Sequence, residues 1–149
     1  MVKKSPALLF LIFILIIAGA VVLVFTNYNT KELPKLTITY NGKEIKSIKG
    51  SYLWKRGFKN EVHVVDSYAK IINQLRPGEQ VMPDGELEIN FDYQPKTIIL
   101  TSSYNSERKI LENNYIKLPT NIKGLMVYFL DCYWKEGVIT YVVVVELKS

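Results

Sequence analysis

The chain has 149 residues, of which 48% are hydrophobic and 22% charged, and its formal net charge is +5 at pH 7. Its length corresponds to one domain. A single Cys and a single His exclude an intramolecular disulfide framework, multi-Cys zinc or iron-sulfur sites and the common multi-His metal centres. Neither a cofactor nor a metal ion is therefore expected.

The chain begins with a strongly apolar segment. Residues 7 to 25 contain no charged or polar side chain. As a helix this run would be about 28 Å long, close to the hydrocarbon thickness of a bilayer. The sequence predicts a cytoplasmic tail at residues 1–6, a transmembrane signal-anchor helix at 7–26 and a linker at 27–35.

A cleaved signal peptide is the competing interpretation, because Ala18-Gly19-Ala20 has the small-x-small form of a signal-peptidase site. The uncleaved anchor is favoured since the apolar run continues past Ala20 as far as Phe25. A short basic start, an apolar core and a long following domain predict a single-pass protein of the cell membrane. Its C-terminal domain would lie outside.

Alternating and turn-forming residues dominate the chain after residue 35. The run Leu36–Ile45 contains Asn41-Gly42, a pair typical of type I′ turns, and predicts a β-hairpin. Glu61–Asp66 reads as a further strand. A short helix is expected next, with Asp66 or Ser67 as its cap and with its apolar residues on one face: Tyr68, Ile71, Ile72 and Leu75.

The remaining segments predict several more strands. Glu86–Asp92 alternates strictly between apolar and polar residues, which is typical of a half-buried strand. Shorter strands are expected at 96–101, 108–112 and 115–118, and the longest at 125–134 and 138–147. In the last strand five residues share one face: Ile139, Tyr141, Val143, Val145 and Leu147. These patterns predict a mainly β protein, with a β-sandwich over residues 36–149 and one short helix. An immunoglobulin-like connection is one arrangement that fits.

Several short motifs in this region resemble a known group of proteins. They are Gly50-Ser51-Tyr52-Leu53-Trp54, Asp66-Ser67, Leu87-Glu88-Ile89-Asn90-Phe91 with Pro95, and Trp134, Gly137 and Tyr141-Val142-Val143. The group comprises small membrane- or lipid-anchored extracytoplasmic β-domain proteins of Gram-positive bacteria. The resemblance covers residues 36–149 and implies a location and a fold, but no activity and no functional residue. The chain departs from the pattern of this group after Asp66-Ser67. In the group a Pro-containing segment commonly follows this pair, whereas here Ser67–Leu75 is predicted to be helical.

A basic cluster interleaved with aromatic residues provides the candidate ligand site. Between residues 43 and 59 the basic cluster has one acidic residue, Glu44, and six cationic ones: Lys43, Lys46, Lys49, Lys55, Arg56 and Lys59. The residues predicted to attract anions and to stack on a ring or sugar face are Tyr52, Trp54, Lys55, Arg56, Phe58 and Lys59. The alternative, favoured by general burial tendencies, places Tyr52 and Trp54 in the core and leaves the lysines as a solvated face.

Other titratable residues give weaker signals. The carboxylates Asp84, Glu86, Glu88 and Asp92 are calcium-type ligands, but the spacing of a calcium loop is missing and a solvated strand face is favoured. His63 and Asp66 are three apart on a predicted strand and would point to opposite faces. Cys132 lies in an apolar strand, which predicts an inert thiol.

Taken together, the residues predict a binding protein rather than an enzyme, because no catalytic or nucleotide-binding motif is present. The predicted function is a membrane-anchored extracytoplasmic binding or interaction domain of the cell envelope. Its expected partner is an envelope protein or an anionic cell-wall polymer, and no nucleic acid. The alternative is an accessory or regulatory subunit of a membrane protein complex, in which the apolar helix forms part of the interface.

Overall fold

The computed structural model describes residues 6–28 and 31–148. These residues fall into two compact units. The helix unit contains the described residues up to Glu32 together with Arg56–Lys59. The β unit contains Leu33–Lys55 and the described residues from Asn60 onward.

Helix α1 spans Pro6–Tyr28. Its side chains are described for Phe10 and for residues 12 to 23, all of them exposed. Over the described part of the chain, no helix combines the length and apolarity needed to cross a membrane. The transmembrane span at 7–26 therefore stays a prediction, and the tail at 1–6 lies outside the described residues except for Pro6.

Among the described residues, eleven strands and a second helix follow α1 in chain order. The strands are β1 (Leu36–Tyr40), β2 (Lys43–Ile45), β3 (Ser47–Arg56), β4 (Lys59–His63), β5 (Glu79–Val81), β6 (Glu86–Phe91), β7 (Thr97–Ser102), β8 (Arg108–Ile110), β9 (Tyr115–Lys117), β10 (Gly124–Tyr133) and β11 (Gly137–Leu147). Helix α2 (Tyr68–Leu75) lies between β4 and β5. The described chain is thus mainly β, as the sequence predicts.

The strands form two sheets. The first has the order β2-β1-β6-β9, and the second β4-β3-β11-β10-β7-β8, with β5 pairing in parallel with β11. Buried side chains of both sheets join in one apolar cluster, which includes Ile38 and Ile89 from the first sheet and Leu130 and Val143 from the second. This arrangement is consistent with the predicted β-sandwich. The immunoglobulin-like connection stays a prediction.

Two local predictions are confirmed in the first sheet. Asn41 and Gly42 form the turn between β1 and β2, and both have positive φ, 50° and 77°. In β6, Leu87, Ile89 and Phe91 are buried whereas the residues between them are not. The alternation of β6 therefore places its apolar side chains in the core.

In the second sheet, β11 is buried on both faces. One face carries the five residues predicted to lie together, and all of them belong to the inter-sheet core. The other face carries Val142 and Val144, which pack with Ile71 and Leu75 of α2 in a second apolar cluster. Helix α2 thus covers the outer surface of the sheet. Its N-cap position is Ser67, without a side-chain capping hydrogen bond.

Strand β3 contains a bulge that affects the candidate site. Tyr52 pairs with Ile139 and Lys49 pairs with Tyr141, so two residues of β3, Gly50 and Ser51, stand opposite one residue of β11. The extra residue carries Lys49 onto the face that also bears Tyr52. A side chain at Gly50 would lie 2.8 Å from the ring of Tyr68, so the bulge requires glycine beneath α2.

Three differences from the sequence analysis concern the second sheet. The strand expected at Glu61–Asp66 occupies Lys59–His63, because its residues pair with β3 in a hairpin and Asp66 precedes α2. Strand β3 at Ser47–Arg56 is a ten-residue strand in a region for which no strand is predicted from the sequence. Strand β5 was not expected at all, since a three-residue strand exists only through its pairing with β11.

Candidate functional site

The residues predicted to bind a ligand lie on and beside the hairpin of β3 and β4. The β unit holds Tyr52, Trp54 and Lys55, and the helix unit holds Arg56, Phe58 and Lys59. All the cationic members are exposed, and the Phe58 side chain is 95% exposed. Each group is described within its own unit, and ligand binding by the six residues together stays a prediction.

The two aromatic residues of the β unit are engaged by the protein itself. Trp54 is 0% exposed, and its ring packs edge-on against Trp134 with 5.6 Å between ring centroids. This corrects the predicted stacking role of Trp54, because no face of its ring is open to a ligand. The ring of Tyr52 stacks on His63 at 5.4 Å, and its hydroxyl donates a hydrogen bond to Glu61 Oε1 at 2.7 Å.

Part of the basic cluster instead surrounds a groove in the β unit. Lys46 occupies the single position between β2 and β3, where the chain crosses from the first sheet to the second. Lys46 and Lys49 line a groove of about 350 Å³ together with Lys35. We call this feature the basic groove; its remaining lining residues are Leu33, Pro34, Leu36, Glu44, Ser47 and Tyr141.

Local contacts fix the positions of the groove residues. The backbone N–H of Lys35 donates to Asp92 Oδ1 at 2.8 Å, which holds the segment before β1 against the end of β6. The hydroxyl of Tyr141 donates to the carbonyl oxygen of Pro34 at 2.6 Å. The bulge in β3 places Lys49 on the face of the sheet that carries Tyr52, and the Lys49 Nζ lies 5.3 Å from the centre of the Tyr52 ring.

The groove is electrostatically positive and its tyrosine is neutral. Three lysines line it against one carboxylate, Glu44, and all four side chains are exposed. Burial raises the pKa of Tyr141 above its ordinary value, and nearby Cys132 and Asp92 add to the effect. Tyr141 therefore supplies a structural hydrogen bond and no charge. The lysines attract anions over several ångströms and remain hydrated.

Lys43 does not join the groove. Its ammonium group forms an ion pair with Glu79, the first residue of β5. The cationic residues that are close together in the sequence therefore lie at different places in the fold. Lys43 serves the contact with β5, while Lys46 and Lys49 face the groove.

Three of the four acidic residues considered as calcium ligands, Asp84, Glu88 and Asp92, contact other groups of the protein. Asp84 lies 3.7 Å from Lys117 Nζ, and Glu88 accepts a hydrogen bond from Thr39 Oγ1 at 3.3 Å. Within the described ranges, no group of three or more His, Cys, Asp or Glu side chains is placed to hold a metal ion. Strand β6 is an inner strand between β1 and β9, so its charged residues do not protect a sheet edge.

Cys132, His63 and Asp66 each have contacts of their own and lie apart from one another in the fold. Cys132 is buried, as the sequence predicts, and its Sγ lies 3.6 Å from the carbonyl oxygen of Leu130. Burial raises the pKa of the Cys132 thiol, and the neighbouring Asp131 adds to the effect. The thiol therefore stays protonated at neutral pH. Asp66 pairs with Lys70 at 3.9 Å, whereas His63 stacks on Tyr52.

Comparisons of the chain with protein-family models, curated proteins and solved structures return no match. Function is therefore inferred from the residues and their geometry.

Sequence reasoning missed two members of the basic groove, Lys35 and Tyr141. Lys35 belongs by sequence to the linker, and Tyr141 to the apolar face of the last strand. The pairing of β11 with β3 brings Tyr141 beside Lys49, and the hydrogen bond from Tyr141 to Pro34 holds the segment that carries Lys35 next to them. The clustering of Lys46 and Lys49 was a usable signal, but the bulge that directs Lys49 into the groove has no marker beyond Gly50.

Proposed function

We propose that this protein is a single-pass membrane protein whose β unit lies outside the cell and acts as a binding module of the cell envelope. Its ligand is an anionic cell-wall polymer, recognised by the basic groove. The module is a binding protein and not an enzyme. The observation that carries the proposal is the convergence of Lys35, Lys46 and Lys49 on one groove with a single opposing carboxylate.

The sequence of α1 supports the membrane anchor. Residues 7 to 25 carry no charged or polar side chain, and the helix that contains them spans Pro6–Tyr28. A helix is the conformation that satisfies such a segment's backbone in lipid. The basic start of the chain and the resemblance to anchored extracytoplasmic domains support an outward-facing β unit.

The chemistry of the outer envelope supports an anionic polymer as ligand. Teichoic acids and lipid headgroups are the abundant anions outside a Gram-positive cell, and a nucleic acid is not expected there. The groove begins at Leu33, only a few residues after α1 ends at Tyr28. A membrane anchor would keep the chain in the envelope, where these anions are found.

Charge-removing variants test the ligand. We expect Lys46→Gln with Lys49→Gln to weaken co-sedimentation of the full-length protein with purified wall polymer about tenfold or more, and to flatten its salt dependence. Lys96→Gln with Lys123→Gln removes the same charge from exposed positions outside the groove and is the matched control. If both double variants lose polymer binding to the same extent, the loss comes from the lower net charge. The groove would then be refuted as the binding site.

A third variant separates the groove from the sequence-predicted residues. Replacing Lys55, Arg56 and Lys59 with Gln removes the cationic residues at the end of the β3–β4 hairpin. If this variant loses polymer binding while the groove variant keeps it, the ligand site is the hairpin and not the groove.

The anchor is tested independently by mass and topology. We expect a full-length, membrane-bound protein that is digested when protease is added to intact protoplasts. A product that begins at Val21 and appears in the medium would show cleavage after Ala20 and would refute the anchor.

An accessory subunit of a membrane complex is the second candidate. A Cβ at Gly19 would meet nothing within 4 Å beyond its chain neighbours and the backbone of its own helix, and Gly19 is flanked by Ala18 and Ala20. Another helix could approach closely at such a point. Replacing residues 7–25 with an unrelated anchor should abolish this function, whereas it should leave polymer binding by the groove intact.

A further inference from the structure

A second cavity in the β unit is lined by a tyrosine whose hydroxyl is buried. The side chain of Tyr128 is 3% exposed, and its hydroxyl has no hydrogen-bond partner among the described residues. The ring lines a cavity of about 290 Å³. Buried hydroxyl groups are nearly always hydrogen-bonded, because an unpaired one costs free energy. The cavity shares no lining residue with the basic groove.

Pairing in the second sheet places the residues around Tyr128. Tyr128 on β10 stands opposite Ser102 on β7, and Leu100 on β7 stands opposite Lys109 on β8. Side chains of directly opposed residues leave the sheet on the same face. Lys109 therefore projects from edge strand β8 on the face that carries Leu100, toward the cavity that both residues line.

The first sheet supplies the opposite wall. Lys117 ends its edge strand, β9, and lines the same cavity. The cavity thus lies where the open edges of the two sheets face each other, with a lysine on each side. Lys109 has no ion pair within the described residues, and Lys117 lies 3.7 Å from the exposed carboxylate of Asp84.

The interior of the cavity is mainly apolar and its hydroxyl is a neutral donor. Leu100, Met126 and the ring of Tyr104 contribute apolar surface. Burial raises the pKa of Tyr128 to about 12, so its O–H keeps its proton at neutral pH. One acidic residue, Glu107, also lines the cavity, and its Oε2 accepts a hydrogen bond from Asn105 Nδ2 at 3.4 Å.

We propose that this cavity binds a small organic anion with an apolar body and a carboxylate or phosphate group. The apolar body packs against Leu100 and Met126 and brings an acceptor to the Tyr128 hydroxyl. The anionic group lies at the mouth between Lys109 and Lys117. A volume of 290 Å³ corresponds to roughly ten water molecules, which suits a ligand of about ten heavy atoms.

Benzoate and phenyl phosphate are suitable probes, with benzyl alcohol and benzylamine as neutral and cationic controls of similar size. The full-length protein in phospholipid nanodiscs is labelled with ¹³C in its methionine methyl groups. The sequence has three methionines. Met126 lines the cavity, whereas Met82 is exposed, lies outside it and serves as the internal control.

We expect both anions to shift the Met126 signal saturably, with dissociation constants on the order of 1 mM, and to leave Met82 unchanged. Benzyl alcohol should bind several-fold more weakly, and benzylamine at least about tenfold more weakly. A preference for one anion identifies the head group as carboxylate or phosphate. Absence of a saturable Met126 shift with either anion, or equal binding of all four probes, would overturn the proposal.

Variants assign the groups that recognise the ligand. Tyr128→Phe should weaken benzoate binding about tenfold without lowering the stability of the ligand-free protein. Tyr141→Phe deletes the same hydroxyl from a residue outside the cavity and should leave the affinity unchanged. Unaltered affinity in Tyr128→Phe, or a stability loss as large as that of Tyr141→Phe, would overturn the role of the hydroxyl.

The lysines have a competing structural role, because an inward-pointing charge on an edge strand also prevents pairing with other chains. Lys109→Gln with Lys117→Gln should remove the preference for benzoate over benzyl alcohol. If that preference persists, the lysines protect the edges only and the site is not one for anions.

Discussion

The inter-sheet core contains two regions that use their polar atoms differently. In the aromatic cluster, formed by Trp54, Phe91, Trp134 and Tyr141, Trp134 Nε1 donates to the carbonyl oxygen of Tyr93 at 2.9 Å. The Tyr141 hydroxyl donates to Pro34 at 2.6 Å. Around the Tyr128 cavity, by contrast, the buried hydroxyl lacks a partner within the described residues.

The two regions of the core are therefore suited to different roles: the aromatic cluster to stability and the Tyr128 cavity to binding. Packed aromatic rings with satisfied donors gain free energy from burial and from their hydrogen bonds. A cavity with an unpaired donor gives up part of that gain and leaves room for a ligand. The aromatic cluster therefore should dominate the free energy of unfolding, while changes at the cavity should mainly alter binding.

The largest effect is expected from Trp54→Ala in the aromatic cluster. Removal of this fully buried ring should lower the free energy of unfolding by about 3–5 kcal/mol. Denaturant unfolding of the full-length protein in mild detergent, followed by circular dichroism, measures the change. Met126→Ala at the cavity is the comparison and should cost less, because its side chain already borders open space. Equal losses would remove the distinction between the two regions.

Alkaline pH should destabilise both regions, since each contains a tyrosine with a raised pKa. The pKa of Tyr128 is about 12 in the folded protein, so its contribution is complete below pH 10 and is lost as the pH rises through 12. The loss amounts to about 1.4 kcal/mol per pH unit over that window. Unfolding measured between neutral pH and pH 12 should show a shallower decline in Tyr128→Phe. A decline identical to wild type would contradict the burial of this hydroxyl.

An intermediate loss of stability is expected in the second apolar cluster, which lies between α2 and β11. Ile71 is 7% exposed and packs with Val142 and Val144. Ile71→Ala should lower the free energy of unfolding by about 2 kcal/mol, near the low end for such truncations because a short helix can settle into the space. Asn73→Ala on the exposed side of α2 is the control and should change stability little. Hydrogen exchange of α2 would show whether the helix loosens before the sheets do.

The smallest and most diagnostic effect is expected from the tyrosine pair at neutral pH. Tyr141→Phe should lose about 1 kcal/mol with its hydrogen bond to Pro34, whereas Tyr128→Phe should be neutral or slightly stabilising. The same denaturation assay compares them directly. If the two variants lose equal stability, the Tyr128 hydroxyl has a partner in solution and the contrast between the regions fails.

Sequence patterns predicted the fold best where structure depends on neighbouring residues. Asn41-Gly42 specified its hairpin through the positive φ that these residues tolerate, and the alternation of Glu86–Asp92 specified the buried face of β6. The pairing of β5 with β11 and the coverage of Val142 by α2 depend on partners distant in the chain. No local pattern encodes such partners.

The candidate sites were harder to predict for the same reason. Charge counting found Lys46 and Lys49 but could not show that Lys43 turns to Glu79 or that Trp54 lies in the core. The Tyr128 cavity gave no signal, because Tyr128 reads as one more apolar residue in a predicted strand. Its significance comes from Lys109 and Lys117, which reach it from two other strands.

The position of β11 also has a consequence for folding kinetics. This strand is the last in chain order and pairs with β3, β10 and β5, so the second sheet lacks its centre until β11 joins. The bond from Tyr141 to Pro34 closes a loop of 107 positions. Topologies dominated by such distant contacts fold slowly, on the order of milliseconds to seconds. Until β11 pairs, the edges of its partner strands stay exposed and can pair with other chains. The rate at which β11 docks therefore sets the protein concentration above which folding is accompanied by aggregation.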